Sequence, residues 1–289
     1  MNIGFVGAGK VGCSLAKLMA QRGIQLSGFY SRTPSSAVEA AKFTNSTHFD
    51  DINQLLKASD VLFLTVPDGA SASVYHSLDE RYLVDKIICH CSGALSSAVF
   101  DGIEKLGASA FSIHPFVAIA SRYESYQYLP NSIFTLEGVG RPEHKALLLD
   151  LLQKLDLRVE QVRADSKMAY HGAAVMASNL VLGLLSMAKE ELVQAGFREE
   201  AAEEAILSLA SGNLQNALHA DKLPLVSALT GPISRGDATT VAGHLAAFRG
   251  DHREVYRLLS RELISLAKQK TPDMELGELQ RMLCEEEEN

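Results

Sequence analysis

Up to residue 161 the chain alternates short runs of Val, Ile, Phe and Leu with longer stretches whose apolar positions recur at helical spacing. The short runs, at residues 3–6, 25–30, 61–66, 87–91, 110–114, 133–136 and 158–162, predict strands. Strands separated by helices predict a parallel sheet covered by helices on both faces. After Asp165, a residue able to cap a helix beside Ser166, the strand signal stops. Long helical periodicity follows over 167–195, which Gly196 would close, and over 199–218. A loop holding Pro224, Gly231 and Pro232 then leads into helical stretches over 237–248 and 251–268. The pattern predicts an α/β domain over residues 1–163 and an all-α domain over 164–289, with a cleft between them and, in the absence of a low-complexity linker, a substantial shared interface.

Composition narrows the class. With 289 residues, 47% hydrophobic, the length suits two medium domains. A net charge of -8 without a Lys/Arg run argues against nucleic acid or an anionic membrane as the main partner. Cys13, Cys89, Cys91 and Cys284 form no framework spacing, which points to reduced thiols and a reducing compartment. A glycine motif beginning at residue 7 leaves no room for a removable leader, so a cytoplasmic location is expected. The longest apolar stretch, 173–188, carries Ser178 and Asn179 and is closed by charges at 189–191; it is expected to be a buried helix rather than a membrane span. The acidic run 285–288 is expected to be a solvated tail.

The first chemical signal is Val6-Gly7-Ala8-Gly9-Lys10-Val11-Gly12, a G-x-G-x-x-G motif directly after a predicted strand and opening a predicted helix. Gly7 would permit the tight turn, Gly9 the approach of backbone to a pyrophosphate, and Gly12 close packing of helix on sheet. Lys10 and Val11 would join them at the helix N-terminus, where free N–H groups and the positive dipole end face the phosphates. The blander reading is a flexible turn, which the flanking strand and helix disfavour. The second strand ends at Tyr30-Ser31-Arg32-Thr33, where an NAD-binding domain normally places an acid on the ribose. Ser31 and Arg32 suit a 2′-phosphate instead and favour NADPH, although Arg32 also reads as an ordinary surface residue. Val66 and Pro67 close the next predicted strand at its carboxyl edge, where Pro67 would wall the ribose or nicotinamide or merely end the strand.

Four further clusters are candidates for the reacting centre. Cys89-His90-Cys91-Ser92-Gly93 places Ser92 beyond a strand end, able to bond the nicotinamide amide or a substrate; the Cys-His-Cys triplet alternates across a strand and completes no four-ligand set, so no metal is assigned. His114-Pro115 ends the next strand, and His114, titratable near neutrality, could protonate an alkoxide or could only brace a turn. On the first long helix Lys167 and His171 share a face, with Asn179 two turns on near the same side; a ligand or another helix could satisfy Asn179. The fourth is Thr230-Gly231-Pro232-Ile233-Ser234-Arg235-Gly236-Asp237, where Arg235 could clamp a carboxylate and Asp237 could bind substrate, cap the following helix or pair with Arg235.

Together these segments resemble a bacterial family of Rossmann-like oxidoreductases whose helical C-terminal domain was long of unknown function. The resemblance rests on the glycine motif, His90 to Leu95, His114-Pro115, Tyr170-His171 through Asn179, and Leu229 through Leu245, and covers nearly the whole chain. Some members of that family are thought to act as alternative ketopantoate reductases, which make pantoate for pantothenate and coenzyme A synthesis. The wider β-hydroxyacid dehydrogenase group carries Lys-x-x-x-Asn on its interdomain helix; here Val175 stands four before Asn179, so His114, His171 or Lys167 would have to replace that lysine. Ser92 and His114-Pro115 are also spaced as in prephenate dehydrogenases.

The resemblance implies NADPH-dependent reduction of a small, anionic 2-oxo acid, ketopantoate first, with His114, His171 and Asn179 catalytic and Ser92, Arg235 and Asp237 on the substrate. Prephenate-type or other hydroxyacid chemistry with NADP, and a dinucleotide-binding sensor without catalysis, are the alternatives. The long apolar helices suggest a homodimer, or equally a single-chain core.

Overall fold

Eight strands form one sheet: β1 (Ile3–Val6), β2 (Leu26–Tyr30), β3 (Thr47–His48), β4 (Val61–Leu64), β5 (Ile87–His90), β6 (Ser109–Pro115), β7 (Ile133–Val139) and β8 (Arg158–Gln161), in the order β3-β2-β1-β4-β5-β6-β7-β8. The computed structural model describes residues 1–284, so the acidic run 285–288 lies outside the described residues. Every neighbouring pair is parallel except β6 and β7, which are antiparallel. The expected parallel sheet is thus present with one antiparallel pair in it. A parallel return needs a long crossover, usually an α-helix, and the 116–132 connection holds only a 3-10 turn at Ser125–Tyr128. The two-residue β3, exposed at both positions, offered no apolar run to read.

The strands have two differently built faces. Phe5, Phe63, Cys89, Phe111, Ile113, Phe134 and Leu136 pack on one side against α1 (Lys10–Gln21) and α2 (Pro34–Thr44). Phe29, Phe5 and Phe63 stack there across three strands, with centroids 5.3 Å apart in each pair. Val6, Leu62, Leu64, Ile88 and Ala110 face the other side, against α3 (Ile52–Ala58), α4 (Asp68–His76), Phe100 and Ile103. α5 (Pro142–Lys154) adds Leu148, Leu151 and Leu152 to the first face. Alternation along a strand continues the second face, toward the carboxyl edge, with polar groups: His90 follows Ile88, and Ser112 and His114 follow Ala110. Because Val6 pairs with Leu64, Leu64 with His90 and His90 with Ser112, the carboxyl ends of β1, β4, β5 and β6 stand in one row.

The contacts divide the chain into two units, Met1–Ser178 and Asn179–Asn289, later than the expected 163/164 division. The difference is α6 (Lys167–Met176), which belongs to the first unit because Lys167 is buried among its strand ends. The helix expected over 167–195 is therefore two, α6 and α7 (Asn179–Gln194). At the break, Ser178 Oγ donates to the Ala174 carbonyl at 2.7 Å, a side-chain bond that competes with the backbone ladder.

The second unit continues with α8 (Glu199–Leu218), α9 (Pro224–Ala228), α10 (Ala238–Ala247), α11 (Gly250–Lys270) and α12 (Gly277–Cys284); α9 and α12 were not anticipated. Its core gathers Leu229, Ile233, Val241, Leu245, Ile264, Leu276 and Leu279. Gly196 does end α7's turn with φ +101°, as expected of a C-cap glycine. The expectation of a buried helix over 173–188 is not met. α7 has no buried residue and α8 buries only Ala202 and Ala217, leaving Leu180, Leu182, Leu207, Leu209, Leu214 and Leu218 exposed. The 164–194 segment is long and apolar enough to cross a membrane by length and composition, yet its α6 half is bonded to the sheet through Lys167.

Candidate functional site

A groove of about 490 Å³ opens at the carboxyl edge of the first unit, lined by Gly7, Gly9, Ser31, Arg32, Thr65, Val66 and Pro67. Its floor is a turn that only glycine fits. Gly7 has φ +103°, and a Cβ there would stand 2.5 Å from the Thr65 carbonyl oxygen. A Cβ on Gly12 would stand 2.4 Å from Thr65 Oγ1, so α1 can approach β4 only without one. Thr65 in turn donates its hydroxyl to the Gly7 carbonyl at 2.8 Å and braces the turn. Over Gly9 a Cβ would meet nothing within 4 Å, so the backbone is open to a ligand there. Gly9 caps α1 without a side-chain hydrogen bond, and no acid sits in the first turn. The first amides of α1, at Lys10 and Val11, thus have no side-chain acceptor, which suits a pyrophosphate. Arg32 is exposed and Ser31 half-buried on the groove wall, as a 2′-phosphate would require. These residues fit a dinucleotide.

A second polar cluster is built on the same edge. Ser92, just past β5, donates its hydroxyl to Asp68 Oδ2 at 2.8 Å and accepts from the Ala94 and Leu95 amides at 3.1 and 3.0 Å. Asp68 directly follows Pro67 and opens α4, so this bond ties the cluster to the groove. The Ser92 carbonyl accepts from Lys167 Nζ at 3.0 Å and from Ser112 Oγ at 3.2 Å, and Lys167 also donates to Ser112 Oγ at 2.8 Å. Lys167 is only 2% exposed, and burial lowers its pKa from the usual lysine value, opposed by the charges of Glu137 and Asp68. One helical turn on, His171 brings Nδ1 against Gly93; that nitrogen is buried and has no hydrogen-bond partner.

His114, at the end of β6, completes the cluster. Its Nδ1 lies 2.7 Å from Tyr170 Oη, which itself accepts a hydrogen bond from Thr135 Oγ1 at 3.1 Å. Thr135 stands opposite His114 on β7. Burial first, then the charge of Lys167, pushes the His114 pKa down to about 4. His90 is held near the same value, again chiefly by burial, with Nδ1 accepting from the Ser92 amide and Nε2 donating to the Ser96 carbonyl. Glu137, buried on β7, accepts from the amide and hydroxyl of Ser97 at 2.7 and 2.8 Å and fixes the loop that follows Ser92.

Several expectations change. His114, Ser92 and His171 do come together, and the burial of His114 draws its pKa to about 4, below the near-neutral value expected of it. Ser92 does not offer its hydroxyl to a substrate, because one donated and two accepted bonds already occupy it. Asp237 is a helix cap: Oδ1 accepts from the Thr240 amide and Oδ2 from its hydroxyl, at 3.0 and 2.7 Å. Asn179 opens α7 in the second unit and is exposed, whereas His171 belongs to the first unit. Arg235 is exposed in the second unit, at the end of the 3-10 turn Ile233–Arg235. Cys89 packs on the face opposite His90. Thr65, Asp68, Thr135 and Glu137 were missed. Thr135 and Glu137 carried a signal, since two polar side chains at period 2 inside Ile133–Val139 share one face of a strand.

Against known proteins, residues 1–115 match the model of a Rossmann-like domain and residues 132–263 that of a domain of unknown function, DUF2520. No curated protein matches in sequence. Among solved structures, a Thermotoga maritima protein superposes with a TM-score of 0.74 at 24% identity, over 93% of this chain and 99% of that one. A candidate NADP oxidoreductase from Bacteroides fragilis gives 0.67 at 22%, over 91% and 98%. The Plasmodium falciparum pyrroline carboxylate reductase, solved with NADP bound, gives 0.60 at 14%, over 93% and 96%. At these identities the likeness is one of fold. Residues 1–115 are thus similar to Rossmann-like domains and residues 132–263 to DUF2520 domains.

Proposed function

We propose that this protein is a cytoplasmic NADPH-dependent oxidoreductase that reduces a small anionic 2-oxo acid, with 2-dehydropantoate (ketopantoate) as the first substrate to test, which would place it in pantothenate biosynthesis. The observation that carries the reading is the Ser92–Asp68 bond, which joins a groove fit for a dinucleotide to a buried cluster of histidines on one carboxyl edge. In open α/β sheets ligands collect outside that edge. NADP-linked reductases among the structural neighbours support the reading. A reduced dinucleotide bound in the groove supplies hydride. The chain's own residues do the rest: Lys167 and Ser112 fix the Ser92 carbonyl, the Ser92–Gly93 turn sets the spacing of the two histidines, and neutral His114 polarises the reacting group. Calorimetry with NADPH and NADH, followed by NADPH consumption with 2-dehydropantoate, tests this. A protein that binds neither dinucleotide ends the proposal, and one that binds NADPH without turning over 2-dehydropantoate removes that substrate.

We also propose a homodimer formed through α7 and α8. Burying a leucine is worth about 1.5–3 kcal/mol, or roughly 60–120 Å² at about 25 cal/mol per Å². The six exposed leucines named above, all of them more than half exposed, therefore offer on the order of 350 Å², against about 800 Å² per partner in a standard interface. Acids at Glu190, Glu191, Glu199, Glu200 and Glu203 on the same helices suit a partner with a polar rim better than lipid.

A further inference from the structure

We infer that Arg122, in the connection from β6 to β7, is a positioning residue for the adenosine end of the dinucleotide: it clamps α1 to α2 beside the groove and offsets the charge of Glu39, so that the protein prefers NADPH to NADH by more than the contacts of Ser31 and Arg32 supply. The inference rests on the oxidoreductase reading above and deepens it, naming a determinant of cofactor choice outside the residues that line the groove.

Arg122 reaches three residues on two helices. Its Nε donates to Cys13 Sγ at 3.3 Å, directly after Gly12 on α1. Its Nη2 donates to the Ser36 carbonyl at 2.7 Å, in the first turn of α2, and its Nη1 to Glu39 Oε2 at 2.9 Å, one turn further along the same helix. Ser36 lines the dinucleotide groove together with Arg32 and Thr33, and α1 opens from the glycine turn that forms the groove's floor. One guanidinium therefore fixes the separation between the turn offered to the pyrophosphate and the segment offered to the 2′-phosphate. All of its nitrogens are engaged within the protein, so it acts through Ser36 and Glu39 and is not itself a ligand.

The seat of Arg122 is built by the chain around it. The antiparallel pairing of β6 and β7 frees the 116–132 connection from forming a crossover helix, and it runs back over α1 instead. There buried Ser14 donates Oγ to the Ser121 carbonyl at 3.4 Å, and the Ser121 amide donates to Ser125 Oγ at 2.9 Å. Tyr123 Oη donates to the same Glu39 oxygen at 3.2 Å, and its ring meets Phe43 edge-on with centroids 5.0 Å apart. The Arg122 side chain is only 21% exposed, which sets it apart from the fully exposed ion pairs that contribute little. Glu39 is the only acid between Ser31 and Thr44, and it lies three residues beyond Ser36, a neighbouring position on the helix surface. Bared, its charge would oppose a 2′-phosphate, a group that NADH lacks. Paired with Arg122, it does not.

Calorimetric titration of the full chain with NADPH, NADH, 2′,5′-ADP and 5′-AMP tests this. Arg122→Gln removes a cation and bares Glu39, and it is expected to raise the Kd for NADPH and 2′,5′-ADP on the order of fivefold while those for NADH and 5′-AMP change by less than about twofold. Adding Glu39→Gln to that variant is expected to recover most of the loss, which a purely structural clamp would not allow. Glu39→Gln alone alters one exposed charge and keeps an amide oxygen for Arg122, so it is expected to tighten NADPH about twofold and leave NADH unchanged. Equal changes for ligands with and without the 2′-phosphate, or no change for either, overturn the inference. Should Arg122→Gln not fold, Glu39→Gln decides alone, and an NADPH-to-NADH Kd ratio equal to that of wild type overturns it. A wild-type protein that binds none of these ligands defeats the oxidoreductase reading and this inference together, whereas one that binds NADPH with a ratio the variants do not move defeats the inference alone.

Discussion

Replacing Gly93 by alanine isolates the two-histidine arrangement from everything else in the molecule. The new methyl group would lie 2.5 Å from His171 Nδ1, 2.9 Å from His114 Nε2 and 3.0 Å from His114 Cε1. Comfortable contacts begin near ~3.5 Å, so His171 has to retreat by about 1 Å. Neither ring is a loose chain end. His114 is tied to Tyr170, and His171 sits one turn beyond Lys167, whose buried ammonium anchors α6. Overpacking of this kind costs about 1–3 kcal/mol. For a protein of this size each kcal/mol lowers Tm by roughly 2–4 °C, so Gly93→Ala is expected to melt a few degrees to about 10 °C lower. A misplacement of about 1 Å at a reacting centre costs on the order of 100-fold in rate. Because Gly93 does not line the dinucleotide groove, NADPH affinity is expected to stay within about twofold of wild type. Calorimetric melting, NADPH titration and NADPH-linked turnover measure the three quantities separately. A Gly93→Ala protein with wild-type kcat/KM would show that the placement of the two rings does not matter to turnover, and parallel loss of NADPH binding would show that the two sites are not separate.

Arg32→Ala is expected to raise the Kd for NADPH about tenfold or more, since a charged hydrogen bond contributes about 1.5–3 kcal/mol, and to leave NADH binding unchanged; equal effects on both would remove the 2′-phosphate assignment. His90 and His114 both have folded pKa values near 4, below the ~6.5 of an unfolded chain, so between those values the unfolded chain takes up protons that the folded one refuses. Stability is therefore complete above pH 6.5 and falls as pH drops toward 4, by at most roughly 3 kcal/mol per ring; urea midpoints at pH 7.5 and 5 that coincide would contradict this. Leu182→Glu with Leu207→Glu is expected to turn a dimer into a monomer in light scattering, and a wild-type monomer would remove the proposed interface.

The parts of this molecule that could be read from sequence are those fixed by neighbours along the chain. Gly7, Gly9 and Gly12 act within one turn, Arg32 sits at a set distance beyond them, and each needs only its flanking strand and helix to be understood. His114 and Ser92 were legible as strand ends, but their chemical states were not, because those depend on partners far away in the chain. The tautomer of His114 is set from β7 and α6 by Thr135 and Tyr170, and the commitment of Ser92 by Asp68 from α4. Asn179 was read from helical spacing along one long helix, and the chain divides instead into α6 and α7, with Asn179 opening the second. Dependence on distant partners also explains α7, whose apolar stretch reads equally as a core helix or as an interface, since composition fixes only that something must cover it. A motif thus locates a site in this chain, while the charge and donor pattern of that site follow from pairings between strands.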